Sequence, residues 1–286
     1  MSEKIYFNTS NKFSMKKTLV NVSTRLHHRL APKHAEKVAR NLLLTPNRTS
    51  AKNSQPQGLR ELPVQYQDGK LMSYHLGQGP VWVLTHGWSG SASQFYPLME
   101  HIASKGFTAV AYDHPAHGAS DGQYGHIPGF VLGLEAVLDS VEDVVGIVGH
   151  SMGTASLLEC RHRKIEQVPV LLIAPVLDYL DNLFGSIARS GYSMRLFKAV
   201  VSDIEQQYRY PLQSVDPYNK LSQRTAPTFI VHDEKDKFTQ FNVSERAANE
   251  MPNVTLVPTQ GQGHGRVMKS PQVMASFDSL TSYIAS

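Results

Sequence analysis

A run of apolar residues, Val144 to Val148, passes directly into Gly149-His150-Ser151-Met152-Gly153, and a helix-forming segment, Ala155 to Glu159, follows at once. Strand, sharp turn and helix in so few residues place the central serine on a strained bend. Side chains at its two flanking positions would collide with the neighbouring strand and helix, so glycine is needed at both. Ser151 is thereby pushed to the tip of the turn. A buried strand feeding a helix in this way requires a sheet covered by helices. The five residues alone prove little, because in a chain with 20 glycines they can arise as an ordinary loop.

The flanking sequence supplies the sheet. Leu62 to Tyr66 and Leu71 to Leu76 are strand-like runs joined by Asp68-Gly69, a two-residue hairpin signal, so the sheet starts antiparallel. Val81 to Leu84 is an apolar strand ending at Thr85-His86-Gly87-Trp88-Ser89-Gly90. Gln94 to Lys105 is a helix stopped by Gly106, Phe107 to Tyr112 a strand ending in Asp113, and residues 127–140 a helix. After the serine turn come a helix over 154–164 and a strand over Val168 to Ala174. This alternation predicts an α/β fold, a mostly parallel central sheet with helices on both faces. It breaks between Pro175 and Thr225, where Tyr179, Leu183, Phe184, Ile187, Tyr192 and Phe197 make the chain unusually apolar for a surface insertion, and a helical lid is expected over about 175–225. The sheet resumes at Pro227 to Val231. A helix over Val243 to Met251, a last strand over Val254 to Pro258 and a helix over Ser270 to Ile284 complete it. The body is expected to occupy 59–286 as one domain, preceded by an extension over 1–58.

Composition bears on partners and compartment. With 41% hydrophobic and 18% charged residues the chain is not disordered throughout. Cys160 stands alone, so there is no internal disulfide and no cysteine zinc site, and a buried helix face is expected for it. No apolar run approaches the roughly 18 residues of a membrane span. A cytoplasmic protein without nucleic-acid partner, metal or cofactor is expected. The net charge of +4 hides an asymmetry: residues 1–55 carry 11 Lys and Arg against 2 acidic residues, which leaves 17 against 22 beyond them. Residues 1–30 show no clean period and are expected to be loosely attached. Lys33 to Leu44 places Ala35, Val38, Ala39, Leu42 and Leu43 at helical spacing until Pro46 stops it. This one amphipathic helix of the extension is expected to pack on its own domain, with a membrane-surface or self-association role as the alternative. Asn47 to Gly58 is expected to be a linker.

In open α/β sheets ligands gather at the carboxyl ends of the parallel strands. Ser151 follows one such strand, Asp233 and Asp236 follow Ile230-Val231, His264 follows the last between two glycines, and His86-Gly87-Trp88 follows an earlier one. The order is serine, acid, histidine. Among the 13 histidines most have no motif around them, and His86 and His150 flank the site as packing or hydrogen-bonding neighbours. His232, Asp233, Glu234 and Asp236 imitate a metal set, but four polar residues leaving one strand point in different directions and no second histidine lies at ligand spacing. The order of the three residues, the serine turn, the His86-Gly87 turn and the segment Asp113-His114-Pro115-Ala116-His117-Gly118-Ala119-Ser120 together resemble the α/β-hydrolase family of serine hydrolases over residues about 60 to 286.

The resemblance implies a role for each matching residue. Ser151 becomes the nucleophile that forms an acyl-enzyme, His264 the base that takes and returns its proton, and the backbone N–H groups of Trp88 and Met152 the oxyanion donors. Asp236 matches the family's acid, with Asp233 and Asp178 as the competing carboxylates. Asp113 to Ser120 is similar to the family's Asp-x-x-Gly-His-Gly-x-Ser turn, with Ala116 where glycine is common, and is expected to order loops. A serine rather than an aspartate at the turn disfavours dehalogenase and epoxide-hydrolase chemistry. The activity implied is hydrolysis of a carboxylic ester or related acyl bond such as a thioester on a small-molecule substrate. The alternatives are a non-catalytic binding protein on the same fold, or hydrolysis of a lactone, peptide or carbon–carbon bond. The substrate itself is not implied by fold.

Overall fold

The apolar runs assemble into a single eight-stranded sheet in the computed structural model, which describes residues 14–48 and 53–284. Two helices come first, α1 (Met15–Leu30) and α2 (Pro32–Leu44). The antiparallel start of the sheet is β1 (Arg60–Tyr66) and β2 (Gly69–Gly77). The alternating part runs through β3 (Val81–Thr85), α3 (Tyr96–Ser104), β4 (Thr108–Tyr112), α4 (Ile127–Ser140), β5 (Val144–His150), α5 (Met152–Glu159) and β6 (Val170–Ile173). Between the sixth and seventh strands lie α6 (Tyr179–Ser190), α7 (Met194–Tyr208) and α8 (Pro217–Ser222). The chain then closes with β7 (Thr228–Asp233), α9 (Phe241–Glu250), β8 (Val254–Thr259), α10 (Gly263–Arg266) and α11 (Pro271–Thr281).

The strands lie in the order β1-β2-β4-β3-β5-β6-β7-β8. β2 pairs antiparallel with β1 and β4, and every pairing from β4 across to β8 is parallel. Tyr66 faces Gly69 across the hairpin, so the turn is centred on Gln67-Asp68, one residue earlier than expected. The central strands are buried on both faces, which is why they are apolar without alternation. Val83, Ile147 and Leu172 pack with Leu134, Leu138 and Leu157 on one side. Trp82, Leu84 and Val148 pack with Phe95, Met99 and Phe277 on the other. The Trp82 and Phe277 rings meet edge to face at 4.9 Å.

The N-terminal segment differs from its sequence reading. Met15–Leu30 is a helix where no period was expected, while residues 1–13 lie outside the described residues. α2 places Ala35, Ala39 and Leu43 against Ile187, Leu196, Phe197, Val200 and Ile204 of α6 and α7, so its apolar stripe packs on its own domain. Asn47 and Arg48, in the segment expected to be a linker, are fastened to the body. The Asn47 N–H donates to Ser89 Oγ at 3.1 Å, and the Arg48 guanidinium donates to the carbonyls of Gly118 and Gly122 at 2.8 and 3.0 Å. Cys160 is buried at the end of α5.

Candidate active site

Ser151 sits between β5 and α5 with φ 52 and ψ −127, a left-handed conformation that a residue with a Cβ adopts only when its surroundings hold it there. The holders are named bonds. The Ser151 N–H donates to the carbonyl of Ile173 on β6 at 3.1 Å, and its carbonyl accepts from the Thr154 N–H at 2.9 Å. α5 also backs directly onto the end of β3: a Cβ on Gly153 would lie 2.3 Å from the Thr85 carbonyl oxygen, so this position admits only glycine.

His264 is carried by the single turn of α10, just beyond β8. Its Nε2 lies 2.8 Å from Ser151 Oγ, and its Nδ1 lies 2.7 Å from Asp236 Oδ2. The side chain of Asp236, in the turn after β7, is fully buried. Its Oδ1 accepts the N–H groups of Phe238 (2.8 Å) and Thr239 (3.3 Å), while Oδ2 also accepts the Thr239 hydroxyl at 3.0 Å and stands 3.3 Å from His232 Nε2. Burial alone raises a carboxyl pKa; here hydrogen bonds from His232 and His264 outweigh it and hold the group well below the usual carboxylate range. The carboxylate is therefore charged and oriented.

Of the three candidate acids, the structure brings Asp236 to His264. Asp233 turns elsewhere: it accepts the Lys235 N–H at 3.1 Å, the Gln262 N–H at 2.7 Å and the Thr259 hydroxyl at 3.1 Å. It thus ties the end of β7 to the loop that presents His264. Burial raises its pKa, and the backbone donors, Gln262 first, more than reverse that. Asp178 precedes α6, where burial pushes its carboxyl up. His150 secures the other side of the loop, with Nε2 3.0 Å from the His264 carbonyl, to which it donates. Burial, reinforced by neighbouring His264, lowers its pKa to about 3, so it is neutral.

The turn after β3 presses on the serine. A Cβ on Gly87 would come within 2.7 Å of Ser151 Cβ and 3.1 Å of its Oγ, so the backbone of Gly87 lies close against the serine side chain. Met152 is the first residue of α5, and its N–H is among the donors that a helix start leaves without an intrahelical acceptor. Buried imidazoles fix the turn. His117 Nε2 accepts the Ser89 N–H at 3.0 Å while its Nδ1 donates to the Pro115 carbonyl at 2.9 Å, and His86 Nε2 accepts the His114 N–H at 3.1 Å. Asp113 accepts the N–H groups of Ala92 and Ala119 at 2.8 and 2.9 Å, and the Ser120 hydroxyl returns to the Asp113 carbonyl at 2.6 Å. The segment from Asp113 to Ser120 thus orders the loops beside the serine. Ala116 has φ 67, the conformation for which glycine is favoured.

A cavity of about 140 Å³ opens at Ser151 and His264. Trp88, Ile127 and Pro128 form one wall. Val176, Leu183, Phe197, Val200, Val201 and Ile204 form the other, and Leu44 at the end of α2 completes it. The lining is mainly apolar, with Ser151 and His264 joined by Asn182, Ser186, Glu205 and Tyr210 among its polar members. Reading the sequence passed over the residues that hold Asp236. His232 lies four residues before it and Thr239 three after, a spacing that is visible, but their direction depends on Ser244 of α9 binding His232 Nδ1 at 2.8 Å.

Comparison with known proteins gives the family of the chain. A model of the alpha/beta hydrolase family matches residues 82–277. The monoacylglycerol lipase of Mycolicibacterium smegmatis is 24% identical over 251 residues, covering 71% of this chain and 87% of that protein. An esterase of Pyrococcus furiosus superposes with a TM-score of 0.63 at 20% identity over 84% of this chain and 97% of its own. The carboxylesterase CesB from Bacillus subtilis superposes with a TM-score of 0.57 at 17% identity over 79% and 92%. With the family model spanning well over half its length, the chain belongs to the alpha/beta hydrolase family, and within it resembles the esterases and lipases.

Proposed function

We propose that this protein hydrolyses carboxylic esters of apolar acyl chains through an acyl-enzyme on Ser151. The observation that carries the reading is the continuous relay from Ser151 Oγ to His264 Nε2 at 2.8 Å and from His264 Nδ1 to Asp236 at 2.7 Å. A serine hydroxyl is a poor nucleophile until a base takes its proton. As Oγ bonds to the ester carbonyl carbon, His264 Nε2 receives that proton, and Asp236 holds the ring in the tautomer with Nδ1–H and stabilises the imidazolium. The carbonyl oxygen, now an oxyanion, accepts from the N–H groups of Trp88 and Met152, the latter at the positive end of α5. The C–O bond to the alcohol then breaks, and the proton passes from His264 to the departing oxygen. Water repeats the sequence on the acyl-enzyme, releasing the acid and restoring Ser151. No step draws on a metal or cofactor.

The cavity and the relatives favour an ester over the other acyl bonds. The walls from α6 and α7 offer an acyl chain the hydrocarbon of Leu183, Phe197, Val200, Val201 and Ile204, interrupted by Asn182, Ser186 and Glu205, and the curated relative is named for a monoacylglycerol substrate. In this reading residues 175–225 form a lid on the domain over 59–286. The test is covalent. A fluorophosphonate probe should add one equivalent to the intact protein, mapped to Ser151 and absent from Ser151→Ala. The same variant should lose about a millionfold in turnover of a p-nitrophenyl ester. Wild-type protein that takes no label while a known serine hydrolase does would defeat the enzyme reading.

A further inference from the structure

α1 is amphipathic in the reverse of the usual sense. Met15, Leu19, Val22, Leu26 and Leu30 are 82, 68, 57, 53 and 74% exposed, and they are five of the eight large hydrophobic side chains that stand exposed among the described residues. At about 100° per residue they fall within an arc of roughly 80° along one side of the helix. The face turned to the protein is mainly polar, with Val20 packed against the cluster that α2 forms with α6 and α7. Asn21 donates to the carbonyl of Gly191 at 3.1 Å, His27 pairs with His34 at 2.8 Å and His28 stands 3.5 Å from Glu36. A helix held only by its own domain buries its apolar stripe and exposes its polar one. α2, the next helix, does so with Ala35, Ala39 and Leu43.

We propose that α1 docks this protein on the surface of a bilayer containing anionic lipid, with the stripe from Met15 to Leu30 in the acyl boundary. Charge selects this occupant. α1 contains no acidic residue, and Lys16 borders the stripe on one side while Arg25 and Arg29 border it on the other, all three exposed. An apolar interior rimmed by anionic headgroups complements that arrangement. A second copy of the helix does not, because its own Lys16, Arg25 and Arg29 would meet these with no carboxylate in either helix to separate them. The helix lies on the surface: no helix among the described residues is long and apolar enough to cross a membrane. α1 is anchored beside the junction of α6 and α7, the helices that wall the cavity, so docking brings that cavity to the lipid phase where apolar esters dissolve. This last consequence rests on the ester-hydrolase reading; the docking does not.

The test uses the full chain co-sedimented with vesicles of phosphatidylcholine mixed with phosphatidylglycerol, and with phosphatidylcholine alone. The expected result is pelleting with the mixed vesicles, at least tenfold weaker with phosphatidylcholine alone or at high salt. Leu19→Glu with Leu26→Glu should cut binding to mixed vesicles at least tenfold and leave the circular dichroism spectrum and turnover of a water-soluble ester unchanged. Arg25→Ala with Arg29→Ala should weaken only the anionic arm, by roughly fivefold per residue. Equal pelleting on the two vesicle types, or none on either, would overturn the proposal. So would a wild-type dimer in sedimentation velocity that the double glutamate variant dissociates without any vesicle binding. The vesicle measurement needs no turnover, so it stands or fails separately from the hydrolase reading.

Discussion

The turn after β5 and the helices between β6 and β7 meet at one cavity, yet different forces dominate in each. Around Ser151 the structure is fixed by directed bonds: its N–H on Ile173, five contacts on the Asp236 carboxylate, and Asp233 on Gln262 and Thr259. Across the cavity the inner face of α7 is held mainly by contact, with Leu196, Phe197 and Val200 packed against Ala35, Ala39 and Leu43 of α2, while its directed bonds lie on the exposed edge, where Arg40 of α2 meets Asp203 and Gln207 and Tyr208 donates to Asp68. Directed bonds place reacting atoms to within a few tenths of an ångström; apolar packing preserves a volume and tolerates exchange of the side chains that fill it. One region can therefore keep a mechanism constant while the other is recut for different ligands.

The hardest test of this division separates two aspartates three residues apart. Asp236→Asn offers an amide N–H where His264 Nδ1–H needs an acceptor, which turns the ring to the wrong tautomer. Turnover of a p-nitrophenyl ester should fall about ten-thousandfold with the fold intact. Asp233→Asn removes a charge that touches the N–H groups of Lys235, Gln262 and Gly263 and the Thr259 hydroxyl but not the His264 ring, so turnover should fall less than about tenfold and urea stability by roughly 1–2 kcal/mol. The reverse order would move the acid to Asp233 and remove the basis for treating that loop as mere support.

The same division explains what the sequence disclosed. Ser151, Asp236 and His264 each follow a strand, so local motifs and chain order singled them out before any contact was known, and the structure sets Asp236 Oδ2 2.7 Å from His264 Nδ1. The partners of Asp236 were not legible, because His232 is aimed by Ser244 of α9, a packing fact without a local signature. α5 stops at Glu159 rather than continuing to 164, and the buried Glu159 carboxylate takes the Asp216 N–H at 2.7 Å, a contact 57 residues away. α1 escaped notice for a different reason. Its apolar residues sit among polar ones at intervals of four, three, four and four, a helical spacing that was there to be counted but belongs to a face left exposed among the described residues.

Acid should attack the two regions unequally. His86, His114, His117 and His150 are buried in the strand-end loops, and burial lowers all four, His150 to about 3; the helical segment over 175–225 contains no histidine. The sign follows from proton counting. A histidine whose folded pKa is depressed stays neutral while the unfolded chain, titrating near 6.5, takes up protons. Stability is therefore full above about pH 6.5 and is lost as pH falls from there towards the folded value, by up to about 1.4 kcal/mol per pH unit for each group. Asp236 adds to the loss only below its unfolded value of about 3.9, since its folded pKa is depressed as well. Urea midpoints measured from pH 8 to pH 4.5 should be level down to about 6.5 and then decline. A level profile down to pH 5 would mean that these imidazoles are not held neutral, and the rigid character assigned to the loops would go with it.

The smallest effect probes the recut side. Val201 is half-buried, lines the cavity from α7 and makes none of the hydrogen bonds described around Ser151. Val201→Phe would spend part of a cavity of about 140 Å³ on a ring and touch none of the bonds that hold Ser151, His264 or Asp236. The ratio of kcat/KM for p-nitrophenyl octanoate to that for the acetate should fall about tenfold, equivalent to about 1.4 kcal/mol, with acetate turnover nearly unchanged. A comparable loss on both esters would show that the α7 wall also positions the reacting atoms, and the separation between a fixed mechanism and an adaptable pocket would not hold for this chain.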